Sequence, residues 1–316
     1  MNLNNKLIWT ITDGSEGMIS QVMGLAQQMS SNILQIKTNL IFPWSKFQPG
    51  ILPIFKWIFK NDLNLDYKPD IIISCGRKSV YTSLYIKKFF KKKIISIHIQ
   101  NPKINTSYFD YVIAPEHDKL DANNVLKSNG AIHKFTDEII KKCKDDIDIK
   151  EKNNLVSIII GGPNQHYKFS IKLLIELIDR IKILKKRYKQ FTFCVIPSRR
   201  TEQIYVNFLK KDLDGIAYVW NKKTKNPYLY CLKYSSFFIV TSDSSSMISE
   251  CAFTGKPVYV YHLPFKRISN RISYFHKTFE NQNITRKLSD SLDVWTYTKL
   301  NEAERIAGIL RSRILE

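Results

Sequence analysis

No stretch of about 18 uninterrupted apolar residues occurs anywhere in the chain, which removes a bilayer-spanning helix. Cysteine is scarce: Cys75, Cys143, Cys194, Cys231 and Cys251 are odd in number, scattered, and form no C-x-x-C pair. Such a set excludes a disulfide framework and fits a reducing compartment, with cysteines inside apolar runs expected as buried free thiols. The amino terminus, MNLNNKLIWTITDGSEG, has no basic segment followed by a long apolar core, so no signal peptide is expected. Acidic residues are few, Asp+Glu 28 against Lys+Arg 49, giving a formal charge of +21. That balance favours anionic partners such as nucleotide phosphates or acidic lipid headgroups. Part of the excess goes with a Lys-, Ile- and Asn-rich vocabulary, so placed arginines carry more information than total lysine.

Several motifs are missing too. There is no G-x-S-x-G elbow, no G-x-x-x-x-G-K-[ST] loop, no H-E-x-x-H and no strict G-x-G-x-x-G. Elbow hydrolases, P-loop NTPases and zincins are therefore poor readings, and a dinucleotide oxidoreductase is weakened. Helix-turn-helix, RRM and zinc-finger signatures are also absent, which leaves nucleic acid a minor alternative despite the charge. Glu116–His117–Asp118 is a cluster that invites a metal, but adjacent residues converge poorly on one ion. The expectation is no metal and no cofactor.

What is present is an alternation of short apolar runs with amphipathic stretches, over 316 residues of which 44% are hydrophobic. This is the pattern of β-α-β units and a largely parallel sheet, and the length suits two α/β domains. The first half offers strands at 6–11, 33–37, 70–74, 94–99 and 111–114, with helices at 18–29, 78–90 and 50–59. A polar stretch, 137–154, separates it from strands at 155–160, 191–196, 217–220, 237–241 and 258–261. Helices are expected there at 169–188, 201–211, 227–234 and 244–253, with final ones at 267–279 and 299–315. The boundaries read as 1–150 and 151–316, two Rossmann-like domains with the last helix packing back on the first. Doubly wound domains place ligand at the carboxyl ends of strands, so the two are expected to face a central cleft.

The unusual residues follow strands. Thr241-Ser242-Asp243-Ser244-Ser245-Ser246 joins an apolar strand to a helix carrying Glu250. A well-capped helix explains the serines alone; the ensemble with Glu250 and Gly255-Lys256-Pro257 favours a ligand. Helix-start amides and the hydroxyls of Ser244, Ser245 and Ser246 would hold phosphate, and Glu250 a ribose diol. Gly161-Gly162-Pro163-Asn164 permits close backbone approach or is a simple turn. Ser198-Arg199-Arg200 suits bidentate phosphate contact, or is a solvated surface.

In the first half, Asp13 with Gly14 and Gly17 leads into the helix carrying Gln21. Asp13 is a candidate general base or a plain helix cap, with Glu116 second. Gly76, Arg77 and Asn101 repeat the strand-then-polar-turn logic on this acceptor side. The segment IFPWSKFQPGILPIFKWIFK, 41–60, combines aromatics with Lys46, Lys56 and Lys60 and is broken by prolines. It reads as a headgroup-boundary element through Trp57, whereas Trp44 reads as packed on the first sheet. Lys87, Lys88 and Lys91–Lys93 would add attraction to an anionic leaflet.

The segments TDGSEGMISQVMGLA, SCGRKSVYTS, QNPKINTSYFDYVIAPEHD, NVLKSNGAIHK, IGGPNQHYKF, SRRTE and NPYLYCLKYSSFFIVTSDSSSMISECAFTGKPVYVY resemble, together and in order, the mitochondrial-fission "elongated mitochondria" family, whose bacterial members are glycosyltransferase-like. The resemblance runs from Thr12 to Tyr261. Plant members are linked to recruiting a dynamin-related protein. The serine-rich turn and Glu250 also resemble the nucleotide-sugar site of GT-B enzymes such as the lipid-linked N-acetylglucosaminyltransferase of peptidoglycan synthesis, without its longer glycine-rich loops. These resemblances imply a GT-B fold and a metal-independent glycosyltransferase. A nucleotide-sugar donor and a cell-envelope lipid or lipopolysaccharide acceptor would meet at the cytoplasmic membrane face. The alternatives are a non-catalytic membrane-associated adapter and a nucleotide-sugar epimerase.

Overall fold

A computed structural model describes residues 3–91, 94–144, 147, 149 and 154–315. The chain divides into two compact units, one of residues 1–134 with 301–316 and the other of residues 135–300.

The first unit is a parallel sheet of β1 (Ile8–Thr12), β2 (Ile33–Lys37), β3 (Ile71–Cys75), β4 (Ile95–Ile99), β5 (Tyr111–Pro115) and β6 (Val125–Ser128), in the order β2-β1-β3-β4-β5-β6. β1 and β3 are buried along their whole length. This is why they read as unbroken apolar runs rather than alternating ones. Helices α1 (Glu16–Met29) and α2 (Arg77–Phe90) follow β1 and β3. One face of the sheet packs Ile8, Ile71, Ile73 and Ile97 against Val22, Leu25 and Met29 of α1. Ile306, Ala307 and Leu310 of the last helix, α9 (Glu302–Leu315), join the same core.

The second unit contains β7 (Leu155–Ile160), β8 (Thr192–Pro197), β9 (Tyr218–Val219), β10 (Ser235–Thr241), β11 (Val258–Tyr261) and β12 (Thr285–Lys287), parallel, in the order β12-β11-β10-β7-β8-β9. Its helices are α3 (Asp137–Lys141), α4 (Ile171–Arg187), α5 (Gln203–Asp212), α6 (Tyr228–Tyr234), α7 (Ser245–Ala252) and α8 (Asn270–Asn281). Strand alternation builds two cores. Val156, Ile158, Phe237 and Ile239 meet Leu177, Ile181 and Leu184 of α4 on one face. Leu155, Ile159, Phe238 and Val240 meet Ile248 and Cys251 of α7 and Phe275 of α8 on the other. Each such fully buried aliphatic contributes about 1.5–3 kcal/mol of transfer free energy.

The structure departs from expectation at residues 50–59, in the polar stretch and at two further strands. Residues 50–59 form no helix but an irregular loop with a single 3-10 turn at Lys56–Ile58, since Pro49 and Pro53 deny a continuous ladder. The polar stretch after residue 136 starts with a short helix, α3, capped by Thr136, whose hydroxyl accepts from the Ile139 amide at 3.2 Å. Strands β6 and β12 are short edge strands that carry too few apolar residues to stand out. Lys92 and Lys93 lie outside the described residues, as do parts of 145–153.

Candidate functional site

In the second unit the chain winds from β7 through β8 to β9, then returns to β10 on the other side of β7. The loops leaving the carboxyl ends of β7 and β10 therefore diverge from adjacent strands, the arrangement that opens a ligand crevice in doubly wound sheets. Those two loops are 161–170 and 242–244.

Asp243 organises them. Its side chain is fully buried, and its Oδ2 accepts from Arg200 Nη2 at 2.6 Å and from the Gly162 amide at 3.1 Å. Oδ1 accepts from Thr241 Oγ1 at 2.6 Å, and Thr241 Oγ1 accepts from the Gly161 amide at 2.8 Å. Arg200 Nη1 also donates to the Gly162 carbonyl at 3.0 Å. Asn164 Nδ2 donates to the Asp243 carbonyl at 3.3 Å, while its Oδ1 accepts from the amides of His166 and Tyr167. A Cβ on Gly161 would lie 1.9 Å from Asp243 Oδ2, and one on Gly162 2.4 Å from the Arg200 backbone. The Gly-Gly pair thus makes room for the protein's own carboxylate and main chain. Ser198 Oγ lies 3.2 Å from Thr201 Oγ1, which reaches the carbonyls of Ile160 and Gly161. Arg199 is exposed.

Ser242 points inward. Its Oγ accepts from the Leu263 amide at 2.9 Å, and its carbonyl lies 3.0 Å from His276 Nε2, which is 3.1 Å from Tyr167 Oη. Burial pushes the Tyr167 phenol up to about 12. Ser244 caps α7, its Oγ accepting from the Met247 amide at 3.4 Å. Ser245 and Ser246 form the first turn, where amides have no intrahelical acceptor and the dipole is positive. Both are half-buried. Glu250 Oε2 accepts from Tyr228 Oη at 2.5 Å. Burial, then the Glu250 charge, raises the Tyr228 phenol well above its usual range.

The first unit has its own switch point between β1 and β3. Asp13 Oδ1 accepts from the Ser15 amide at 3.1 Å, an Asx turn leading into α1. Gly14 adopts φ 90°. Gln21 Oε1 sits 3.8 Å from Cys75 Sγ and 3.4 Å from Gln100 Nε2. Burial, and secondarily Asp13, pushes the Cys75 thiol far up, so it is inert. Gly76 precedes α2 with φ 89°. Arg77 turns away from solvent phosphate chemistry: its guanidinium donates to the carbonyls of Ser45 and Phe47. Asn101 Oδ1 accepts from the Lys103 amide at 2.9 Å, and Gly17 is exposed. Glu116 follows β5, three strands from β1, so its backbone lies about 14 Å from Asp13 by strand spacing. His117 Nε2 is 3.9 Å from Asp118 Oδ1. Among the described residues no group of His, Cys, Asp and Glu is arranged to hold a metal ion, and no helix is long and apolar enough to cross a membrane.

The family model described as mitochondrial fission ELM1 matches residues 16–314. The chain belongs to this family. An uncharacterized protein of Rickettsia prowazekii (strain Madrid E) is 27% identical, the match covering 96% of this chain and 97% of that one. Mitochondrial fission protein ELM1 of Arabidopsis thaliana is also 27% identical, over 84% of this chain and 67% of its own length. Among solved structures, UDP-GlcNAc 2-epimerase from Methanocaldococcus jannaschii aligns with a TM-score of 0.53 at 13% identity, covering 99% of this chain and all of that one (100%). S. aureus MnaA, solved with UDP, aligns at 0.54 and 14% identity over 98% and 97%. The glycotransferase of kitacinnamycin aligns at 0.55 and 11% over 98% and 99%. At such identities the likeness establishes the fold: two Rossmann-like units of GT-B type.

Among the sequence candidates, the structure brings Gly161, Gly162, Arg200 and Asp243 into one cluster, beside Ser244–Ser246. Ser242 and Ser198 serve the turn from behind, and Arg77 serves a loop. Residues that sequence reasoning did not single out are Thr241, Thr201, Tyr167, His276 and Tyr228. Thr241 and Thr201 had visible signals, the one closing an apolar strand and the other directly following Arg200; Tyr167, His276 and Tyr228 come from other segments and carried none.

Proposed function

We propose that the chain is a metal-independent GT-B glycosyltransferase that takes a nucleotide-activated sugar at the β7/β10 crevice. A lipid or lipopolysaccharide acceptor at the cytoplasmic face of a membrane receives the sugar. The observation that carries this reading is the start of α7: orphan amides of Ser245 and Ser246 stand at the switch point, on a turn locked by the buried Asp243 carboxylate.

Sugar transfer breaks the bond from the anomeric carbon to phosphate, and negative charge grows on the leaving diphosphate. Fixed amides and a helix dipole stabilise that charge without a metal. Arg200 is committed to Asp243, which leaves Arg199 as the cation for the phosphates. Asp13, at the β1/β3 switch point, is the base for the acceptor hydroxyl; Glu116, three strands away, is the lesser candidate. A ribose would meet Glu250 as a Tyr228–Glu250 pair. Calorimetry with UDP, GDP, CDP and their sugars tests the reading: one nucleotide should bind and its sugar should be released slowly to water. Absence of binding by every nucleotide overturns it.

The epimerase reading is favoured by the shared fold of the solved UDP-GlcNAc 2-epimerases. It requires conversion of a nucleotide sugar with no acceptor present, visible by proton NMR. The adapter reading is favoured by the internal satisfaction of Arg200, Arg77 and Glu250. Unchanged cellular function of the triple variant Asp13→Ala, Arg199→Ala, Glu250→Ala would select it.

A further inference from the structure

Residues 41–60 of the first unit display large apolar side chains to solvent. Phe42 is 75% exposed, Ile51 62% and Trp57 58%, and Phe47 and Phe55 of the same segment are exposed as well. The display is built rather than slack. Trp44 is buried beneath it and donates from Nε1 to the Pro53 carbonyl at 2.8 Å. Trp57 stands edge-on to Trp44 at 4.9 Å and stacks on Phe55 at 5.6 Å. Arg77 holds the Ser45 and Phe47 carbonyls, and Tyr81 Oη donates to that of Gln48 at 2.7 Å. Little ordering entropy then remains to be lost on docking.

Charge decides what docks. Lys46, Lys56 and Lys60 of the same segment are exposed, and no acid occurs from Ile41 to Lys60. The aromatic surface continues along α2, where Tyr85 packs on Phe59 at 5.0 Å and Phe89 is exposed beside Lys88 and Lys91. Aromatic and aliphatic side chains framed by lysines without a counter-charge match the acyl–headgroup boundary of an anionic leaflet, where each cation adds about 1 kcal/mol.

We infer that the 42–57 loop is a preformed docking surface for an anionic lipid bilayer, inserting Phe42, Ile51 and Trp57 below the headgroups. Because Arg77 opens α2 immediately after β3, the clamp ties this loop to the β1/β3 crevice of the first unit. That crevice is thereby held at the lipid surface, where a lipid-linked acceptor presents its headgroup. Only this last step rests on the glycosyltransferase reading.

Full-length protein is to be co-sedimented with vesicles of phosphatidylcholine alone and of phosphatidylcholine mixed with phosphatidylglycerol. Binding to the anionic vesicles, with a blue shift of tryptophan emission, is expected. The double variant Phe42→Ser, Ile51→Ser should weaken that binding about tenfold or more while circular dichroism stays unchanged. Full anionic binding by the double variant would show adsorption by charge alone and overturn the inference, as would indifference of the wild type to both vesicles. Nucleotide affinity of the wild type and of the double variant is measured in parallel. Vesicle binding without nucleotide affinity sinks the transferase and leaves the docking surface standing.

Discussion

Arg200 and Asp243, 43 residues apart in the chain, meet at 2.6 Å where the loops after β8 and β10 converge. The Asp243 side chain is wholly buried while that of Arg200 is 39% exposed. The asymmetry matters because an unpartnered buried charge is costly, whereas a partly exposed arginine is hydrated either way.

Arg200→Ala should therefore destabilise the protein by about 1–3 kcal/mol, reading on Asp243 left with amide and hydroxyl donors alone. In the Asp243→Asn background the same arginine change should have less than half that effect. Urea unfolding of the two single variants and the double variant measures the coupling. Simple additivity would show that the ion pair does not hold the turn.

Two glycines of α1 separate packing from helix propensity. A Cβ on Gly24 would fall 2.2 Å from the His133 carbonyl oxygen, whereas one on Gly17 meets nothing within 4 Å. Gly24→Ala should lose about 1–3 kcal/mol, since a backbone carbonyl cannot step aside. Gly17→Ala should be neutral or gain up to about 1 kcal/mol from propensity and reduced chain entropy. Thermal unfolding midpoints moving in the same direction would contradict the packing of α1 against residues 130–134.

If α7 receives phosphate, a carboxylate placed on its first turn should repel it. Ser246→Asp is expected to leave thermal stability within about 0.5 kcal/mol of wild type, because acids suit helix starts. Nucleotide affinity should fall at least about tenfold by calorimetry, the weight of one lost anion contact. Retained affinity would move the site away from α7.

His98 offers a pH test. It is fully buried on β4, its Nδ1 lies 2.9 Å from Ser74 Oγ, and burial lowers its pKa to about 3. A depressed histidine pKa means that the unfolded chain takes up a proton which the folded protein refuses. Stability from this group is complete above about pH 6.5 and falls as pH drops toward 3, by about 1.4 kcal/mol per unit. The His98→Gln variant should show a flatter decline over that window in denaturant titrations. Parallel curves would mean that the ring titrates normally.

The periodicity of apolar runs was enough to determine two parallel α/β units and nearly all their central strands, because a strand buried on both faces must be apolar throughout. One cap was legible too: Ser244, read as the start of a helix, accepts from the Met247 amide three residues on, a relation confined to neighbouring residues, whereas Thr136 and Ser170 cap their helices in the same way without having been singled out. Edge strands β6 and β12 were silent, since half-exposed residues need no pattern. Position relative to strand ends also marked Gly161, Arg200, Asp243 and Ser244 as candidates. Only the tertiary structure decided their partners. It turned the Gly-Gly pair toward Asp243 instead of outward, bound Arg200 to that carboxylate and sent Arg77 to a loop. Such partnerships join segments tens of residues apart, and a hydrogen bond leaves no trace in the sequence when many residue types can supply either end.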